Sequence, residues 1–211
     1  SPVSPAGLRQ DALVDFSVSL DGQKYVEGGP SFRYHKMSFS SAFPIFGSLE
    51  GGTSVLLYGE NIINSPALRC KFGVEMVVAQ WISEYQCICR APANPSRNAE
   101  FVYFSMSVNN QDWFDVGTKF EYVQDPTILR ISPSLGFEYG GTQVTLFGSG
   151  LVQSKQFRCR FGVFAVRPKL FKSANVLVCE TPSNSEGLVP IAVSLNSADF
   201  TQFDVQFQYV Q

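Results

Sequence analysis

The chain of 211 residues holds a single histidine, His35, two tryptophans and three methionines. It has no uninterrupted apolar run of the roughly 18 residues that a membrane-crossing helix needs. Its formal net charge is −2 and only 16% of its residues are charged, with Lys and Arg scattered along it. The basic stripe that accompanies nucleic-acid binding is therefore missing. No acceptor site of the Asn-x-Ser/Thr kind occurs, since Asn94-Pro95-Ser96 is excluded by its proline. The start, Ser1-Pro2-Val3-Ser4-Pro5, is not a basic region followed by an apolar one, so it is no signal peptide. In a fragment of a longer chain that absence carries no information.

The residues that catalysis needs are also scarce. No G-x-S-x-G nucleophile elbow is present. His35 stands beside Lys36 at a predicted junction and reads as a solvated surface group. Gly148-Ser149-Gly150-Leu151 is rich in glycine but has no lysine for a phosphate, so it reads as a turn. Asp112, Asp115 and Glu121 lack the Asp/Asn-Gly spacing of a calcium loop. Asp125 with its neighbours is the remaining weak candidate for a metal. We expect no catalytic, cofactor or metal site, and hence no enzyme.

Glycine, phenylalanine and repetition are what the chain does contain. Gly51-Gly52-Thr53-Ser54-Val55-Leu56-Leu57-Tyr58-Gly59, followed by Leu68-Arg69-Cys70-Lys71-Phe72-Gly73, recurs as Gly140-Gly141-Thr142-Gln143-Val144-Thr145-Leu146-Phe147-Gly148, followed by Phe157-Arg158-Cys159-Arg160-Phe161-Gly162. The offset is 89 residues in both blocks. Each copy goes on to a second cysteine and a proline, Cys89 and Pro92 or Cys179 and Pro182. Each ends on an aromatic pair, Phe120 and Tyr122 or Phe207 and Tyr209. A fixed period of this kind sets the architecture. Patterned segments alternate with period two, as at Val55 and Leu57 or along Phe101 to Val108, and none has a helical period. Most of the 19 phenylalanines fall at such alternating positions and are expected in the core. Gly47 and Gly51-Gly52 are expected to supply positive φ in the turn before the second strand.

The ordered set of GGT turn, C-x-FG block, second cysteine before proline and terminal F-x-Y resembles the IPT/TIG family of immunoglobulin-like domains. The resemblance implies an all-β chain of tandem β-sandwiches: residues 37–124 and 125–211, each near the size of an immunoglobulin-like module. Residues 1–36 match only the last strands of a repeat. Ser19, Asp21 and Tyr25 stand at the spacing of Ser107, Asn109 and Trp113, and Phe32 and Tyr34 stand where Phe120 and Tyr122 do. That predicts a native chain continuing upstream, with a cysteine two residues before Ser1. Only Val123-Gln124-Asp125-Pro126 lies between the complete repeats, too short and too stiff for a flexible linker.

The family resemblance also implies a disulfide within each repeat, Cys70 with Cys89 and Cys159 with Cys179. Closing a loop of about 20 residues stabilises by roughly 3 kcal/mol in the chain-entropy estimate. Such bonds persist mainly outside the cytosol. Reduced buried thiols in a cytosolic protein are the alternative. Cys87 is left over; Leu177 stands at its place in the second repeat, so it reads as a small core residue. A Cys70–Cys87 bridge and an intermolecular bond remain the other options.

Binding candidates are the loop aromatics. Trp113 and Phe114 lie near a predicted hairpin tip, Tyr139 lies in the Glu138-Tyr139-Gly140-Gly141 turn, and Trp81 lies on a middle strand. Trp113 has aromatic counterparts in Tyr25 and Phe200, which suits a cap on the sandwich end. Tyr139 answers to Glu50 and is the better surface candidate. The resemblance extends to repeats of plexins, hepatocyte-growth-factor-type receptors and fibrocystin-like proteins. It implies a non-enzymatic extracellular segment of a cell-surface protein, for adhesion, protein recognition or spacing. Protein partners at the cell surface are expected, without nucleic acid and without direct membrane contact. The rival reading is an accessory module of a secreted enzyme or of a DNA-binding protein.

Overall fold

The computed structural model describes residues 13–211 except Glu27, Pro30 and His35, and the backbone alone of Gln202. The readings of His35 and of the start, Ser1 to Pro5, fall outside the described residues. Every regular element among them is a strand.

Strands β1 (Leu13–Asp15) and β2 (Ser31–Arg33) form an antiparallel pair with Val14 opposite Phe32. Leu13, Phe16, Val18 and Phe32 on this piece are exposed. Phe32 meets Tyr34 edge to face at 4.9 Å, close to the 5.1 Å of Phe120 with Tyr122 and the 5.0 Å of Phe207 with Tyr209.

The next unit comprises β3 (Ser38–Phe43), β4 (Phe46–Ser48), β5 (Ser54–Glu60), β6 (Arg69–Phe72), β7 (Glu75–Ser83), β8 (Gln86–Arg90), β9 (Glu100–Ser107) and β10 (Phe114–Val123). They follow the order β3-β5-β8-β7-β6-β9-β10-β4, antiparallel except for β10 with β4. Strand β7 turns one ladder into two facing sheets. Glu75 to Val78 pair with β6, whereas Ala79 to Ser83 pair with β8.

The second unit repeats the plan with β11 (Thr127–Ser132), β12 (Leu135–Phe137), β13 (Gln143–Ser149), β14 (Arg158–Phe161), β15 (Phe164–Val166), β16 (Pro168–Ser173), β17 (Val176–Glu180), β18 (Gly187–Ser194) and β19 (Thr201–Val210). Its sheets run β11-β13-β17-β16 and β12-β19-β18-β14-β15. One residue explains why β7 is continuous and its counterpart is two strands. The Ala79 amide donates to the Leu68 carbonyl at 3.1 Å as the strand changes sheets. Pro168 stands at that place in the second repeat, and proline has no amide hydrogen to give.

The motifs separated in sequence meet in space. Cys70 on β6 is bonded to Cys89 on β8, and Cys159 on β14 to Cys179 on β17, so each disulfide ties one sheet to the other, with Cα atoms 6.2 and 6.5 Å apart. The GGT turn closes on the segment after the second cysteine. Gly52 N donates to Ala91 O at 2.8 Å, and Gly141 N to Thr181 O at 2.9 Å. A Cβ on Gly51 would lie 2.5 Å from backbone atoms of Pro92 and Ala93, and the φ of this residue is +76°, so both the space and the backbone require glycine. The terminal tyrosine reaches the same segment: Tyr122 Oη donates to Pro92 O at 2.9 Å and Tyr209 Oη to Pro182 O at 3.0 Å. Burial pushes both phenols up to about 12. Val55, Leu57, Phe72 and Phe104 fill the first core, and Val144, Leu146, Phe161 and Phe207 the second.

Two expectations change. Gly47 is not a positive-φ turn residue; it lies in β4, and its missing side chain makes room for Thr53, whose Oγ1 would be 2.0 Å from a Cβ there. Alternation did not place every phenylalanine inside. Phe43, Phe101, Phe137 and Phe164 are exposed, because a half-buried strand has an outer face too.

Candidate functional site

Among the described residues, those that join the repeats form a polar arrangement that crosses from one repeat to the other. It grows from a hairpin loop, Ser194 to Asp199, between β18 and β19. Asn196 Oδ1 accepts from Ser194 Oγ (3.1 Å), Ala198 N (3.0 Å) and Asp199 N (2.9 Å), which shapes the loop. Its Nδ2 donates to Asp199 Oδ2 at 2.9 Å and, across the junction, to Phe46 O at 3.0 Å. Asp199 Oδ2 also accepts from Thr53 Oγ1 of the first repeat at 2.6 Å. Beside these, Ser48 Oγ donates to Asp125 Oδ2 in the connecting segment at 2.6 Å. Asp125 is thus engaged in a hydrogen bond between the repeats, and among the described residues no group of three or more His, Cys, Asp or Glu could hold a metal.

Apolar contact accompanies the polar bonds. Phe46 and Val123 pack against the core of the second repeat. The side of the junction is a groove lined by Phe46, Glu121, Val123, Gln124, Val152 and Leu195. Thr53 is 1% exposed and Asn196 3%, so these polar groups are shut off from water and depend on one another.

The same loop occurs in the first repeat. Asn109 Oδ1 accepts from Ser107 Oγ, Gln111 N and Asp112 N, and its Nδ2 donates to Asp112 Oδ2. Asn109 is exposed. Asp21 shapes the loop of the N-terminal piece in the same manner, accepting from Ser19 Oγ, Gln23 N and Lys24 N. These bonds hold its carboxyl below the usual range, the Lys24 amide contributing most. Nothing in the sequence marks these loops as a junction. The recurring Ser-x-Asn-x-x-Asp at 107–112 and 194–199 was the available signal.

The aromatic candidates separate. Trp113 is half-buried with Lys71 Nζ 5.4 Å from its ring centre. In the second repeat Arg160 covers Phe200 at 4.4 Å in the matching place. Phe114 is half-buried at the start of β10, opposite Met106. Trp81 is packed on the first core and its indole Nε1 donates to Ile62 O at 2.8 Å. Tyr139 is 70% exposed and stacks on Phe137 with ring centres 5.0 Å apart and planes at 9°. It stands apart from Trp113 and Phe114, in the other repeat. A further apolar surface, on β7 and β9 of the first repeat, was not foreseen: Met76, Val78, Phe101 and Tyr103 are exposed. Cys87 is buried and in no disulfide, its Sγ donating to Met106 Sδ at 3.7 Å, and desolvation pushes the thiol up to about 12. Such a thiol is a poor nucleophile.

This fold and its paired disulfides define a tandem array of immunoglobulin-like sandwiches. A family model described as the IPT/TIG domain matches residues 37–122 and 126–209. The chain belongs to the IPT/TIG family. Human Plexin-A4 is 33% identical over 178 residues, covering 80% of this chain and 9% of that protein. Human Fibrocystin-L is 26% identical over 183 residues, covering 83% of this chain and 4% of that protein. A solved structure of the full extracellular region of plexin A4, domains 1 to 10, shares the fold at 23% identity and a TM-score of 0.53, over 92% of this chain and 17% of that one. The chain thus spans less than a tenth of the length of these relatives.

Proposed function

We propose that this segment is a stiff, non-enzymatic link in the extracellular region of a cell-surface protein, where stacked IPT/TIG repeats set the distance and orientation of recognition surfaces. The junction carries this reading. Three side-chain hydrogen bonds pass from the first repeat to the second or to the connecting segment, at Thr53, Ser48 and the Phe46 carbonyl. Phe46 completes the second core, which a freely swivelling neighbour could not do. The extracellular location is supported by the two disulfides and by the similarity to plexins and Fibrocystin-L. Recognition by this segment would use its exposed edges and turns, with Tyr139 ahead of Trp113, because Tyr139 is exposed and its ring serves no core.

Residual dipolar couplings measured on the whole chain test the stiffness. A single alignment tensor should fit both repeats. In a Thr53→Val, Asp199→Ala variant each repeat should keep its own fold while the two tensors diverge. Two independent tensors in the unaltered chain would overturn the reading.

A further inference from the structure

At the junction one repeat offers an end face and the other a loop. The face of the first repeat consists of the edge strand β4, with the Phe46 carbonyl, and the Thr53 hydroxyl held against Gly47. The second repeat carries the same face at the same offset. Leu135, Gly136, Phe137 and Thr142 stand at the places of Phe46, Gly47, Ser48 and Thr53. The local geometry is reproduced as well: β12 is an edge strand paired in parallel with β19, as β4 is with β10. A Cβ on Gly136 would fall 2.3 Å from Thr142 Oγ1, so the threonine is seated against the strand just as Thr53 is against Gly47.

The difference is that, among the described residues, nothing covers this second face. Thr142 is only half-buried, and its hydroxyl has no hydrogen-bond partner among the described residues. Leu135 is 54% exposed and Phe137 49%. Apolar side chains and a seated but unused donor, side by side, are what the first face would present if the second repeat were lifted from it.

We propose that the Leu135–Phe137–Thr142 face is a docking site for the Ser-x-Asn-x-x-Asp loop of another IPT/TIG repeat held in tandem with this one. The proposal rests on the stacked reading given above and names its next contact. The occupant follows from the first junction. There a loop of this composition brings an amide donor to the edge-strand carbonyl and a carboxylate to the threonine hydroxyl. Both partners have counterparts on the second face. The chain itself shows that the loop is a standard part of its repeats, since the Asn109 loop makes the same internal bonds as the Asn196 loop. One contact changes. Phe137 replaces Ser48, which donates to Asp125 in the connecting segment. That hydrogen bond gives way to apolar cover of the connection by the stacked rings of Phe137 and Tyr139.

A chain lengthened by its own second repeat tests this. Appending a further copy of residues 125–211 after Gln211 gives a connection reading Val-Gln-Asp-Pro, the same as Val123-Gln124-Asp125-Pro126. Thr142→Cys is combined with Asp199→Cys in the appended copy, and a control chain carries Thr53→Cys with Asp199→Cys in the original repeat. Mild oxidation and peptide mass mapping then score each pair. The expected result is cross-linking at Thr142 within twofold of the control. Cross-linking of the control with less than a tenth as much at Thr142 would overturn the docking site while leaving the first junction intact. Failure of the control as well would instead count against the stacked arrangement itself. An appended repeat that stays protease-sensitive while the original repeats fold would also refute the site, since Leu135 and Val210 are then not giving the support that Phe46 and Val123 give.

Discussion

Replacing Asn196 by Ala removes the residue on which the junction converges, and its consequences can be worked out from the hydrogen bonds. Five are lost: three to Oδ1 that shape the loop, and two from Nδ2, of which one crosses to Phe46 O. A typical hydrogen bond contributes about 1 kcal/mol net, and a buried group left unpaired costs about 1–3 kcal/mol. With Asn196 only 3% exposed, water cannot readily replace the lost partners. The cost should therefore be about 3–4 kcal/mol. Asn109→Ala is the internal control. It deletes the same bonds within its loop, but Asn109 is exposed, so water re-satisfies the freed groups and the cost should be about 1 kcal/mol. A chain of two sandwiches need not unfold in one step. Amide hydrogen exchange, read separately at Val144 and Leu146 in the second core and Val55 and Leu57 in the first, gives each repeat its own value. Equal losses for the two variants would refute the reasoning, because the local loop bonds would then account for everything and the crossing contact for nothing.

The remaining predictions concern the cores. Tyr209→Phe deletes the bond to Pro182 O and should cost about 1 kcal/mol in urea unfolding. Because burial raises the phenol from 10.0 to about 12 in the folded state, its contribution is complete below pH 10 and is lost as the pH rises toward 12. The variant should show a shallower fall in stability over that interval, and an unchanged pH profile would contradict the assignment. Cys87 should resist alkylation at pH 8 in the folded chain and react freely in denaturant, since its thiol is buried and pushed up to about 12. Stoichiometric labelling of the folded protein would show that this part of the core opens.

How much was legible depended on how local the signal is. The GGT turn, the C-x-FG block and the alternation of Val55 with Leu57 are properties of short stretches, and they recur at a constant offset of 89 residues. They led to the all-β class and the repeat family without coordinates. Whether β7 runs on or breaks is written in no short motif: the outcome turns on an amide that Ala79 has and Pro168 lacks. Gly47 was misread because a glycine demanded by a close side chain looks the same in sequence as one demanded by positive φ. Phe101 and Phe137 stand outside the core, because alternation marks two faces without saying which one another element covers.

The junction lay out of reach for a different reason. Thr53 and Asp199 are 146 residues apart, and Asn196 and Phe46 are 150 apart. The Ser-x-Asn-x-x-Asp loops were visible as spacing, yet the loops at 107–112 and 194–199 are bonded alike within themselves. What distinguishes them is burial. Sequence alone determined that each loop would fold back on its own asparagine, because those bonds reach only two or three residues along the chain. Only the tertiary structure decided that one of them would meet a neighbouring carbonyl and hydroxyl, because that contact depends on how two separately folded sandwiches are set against each other.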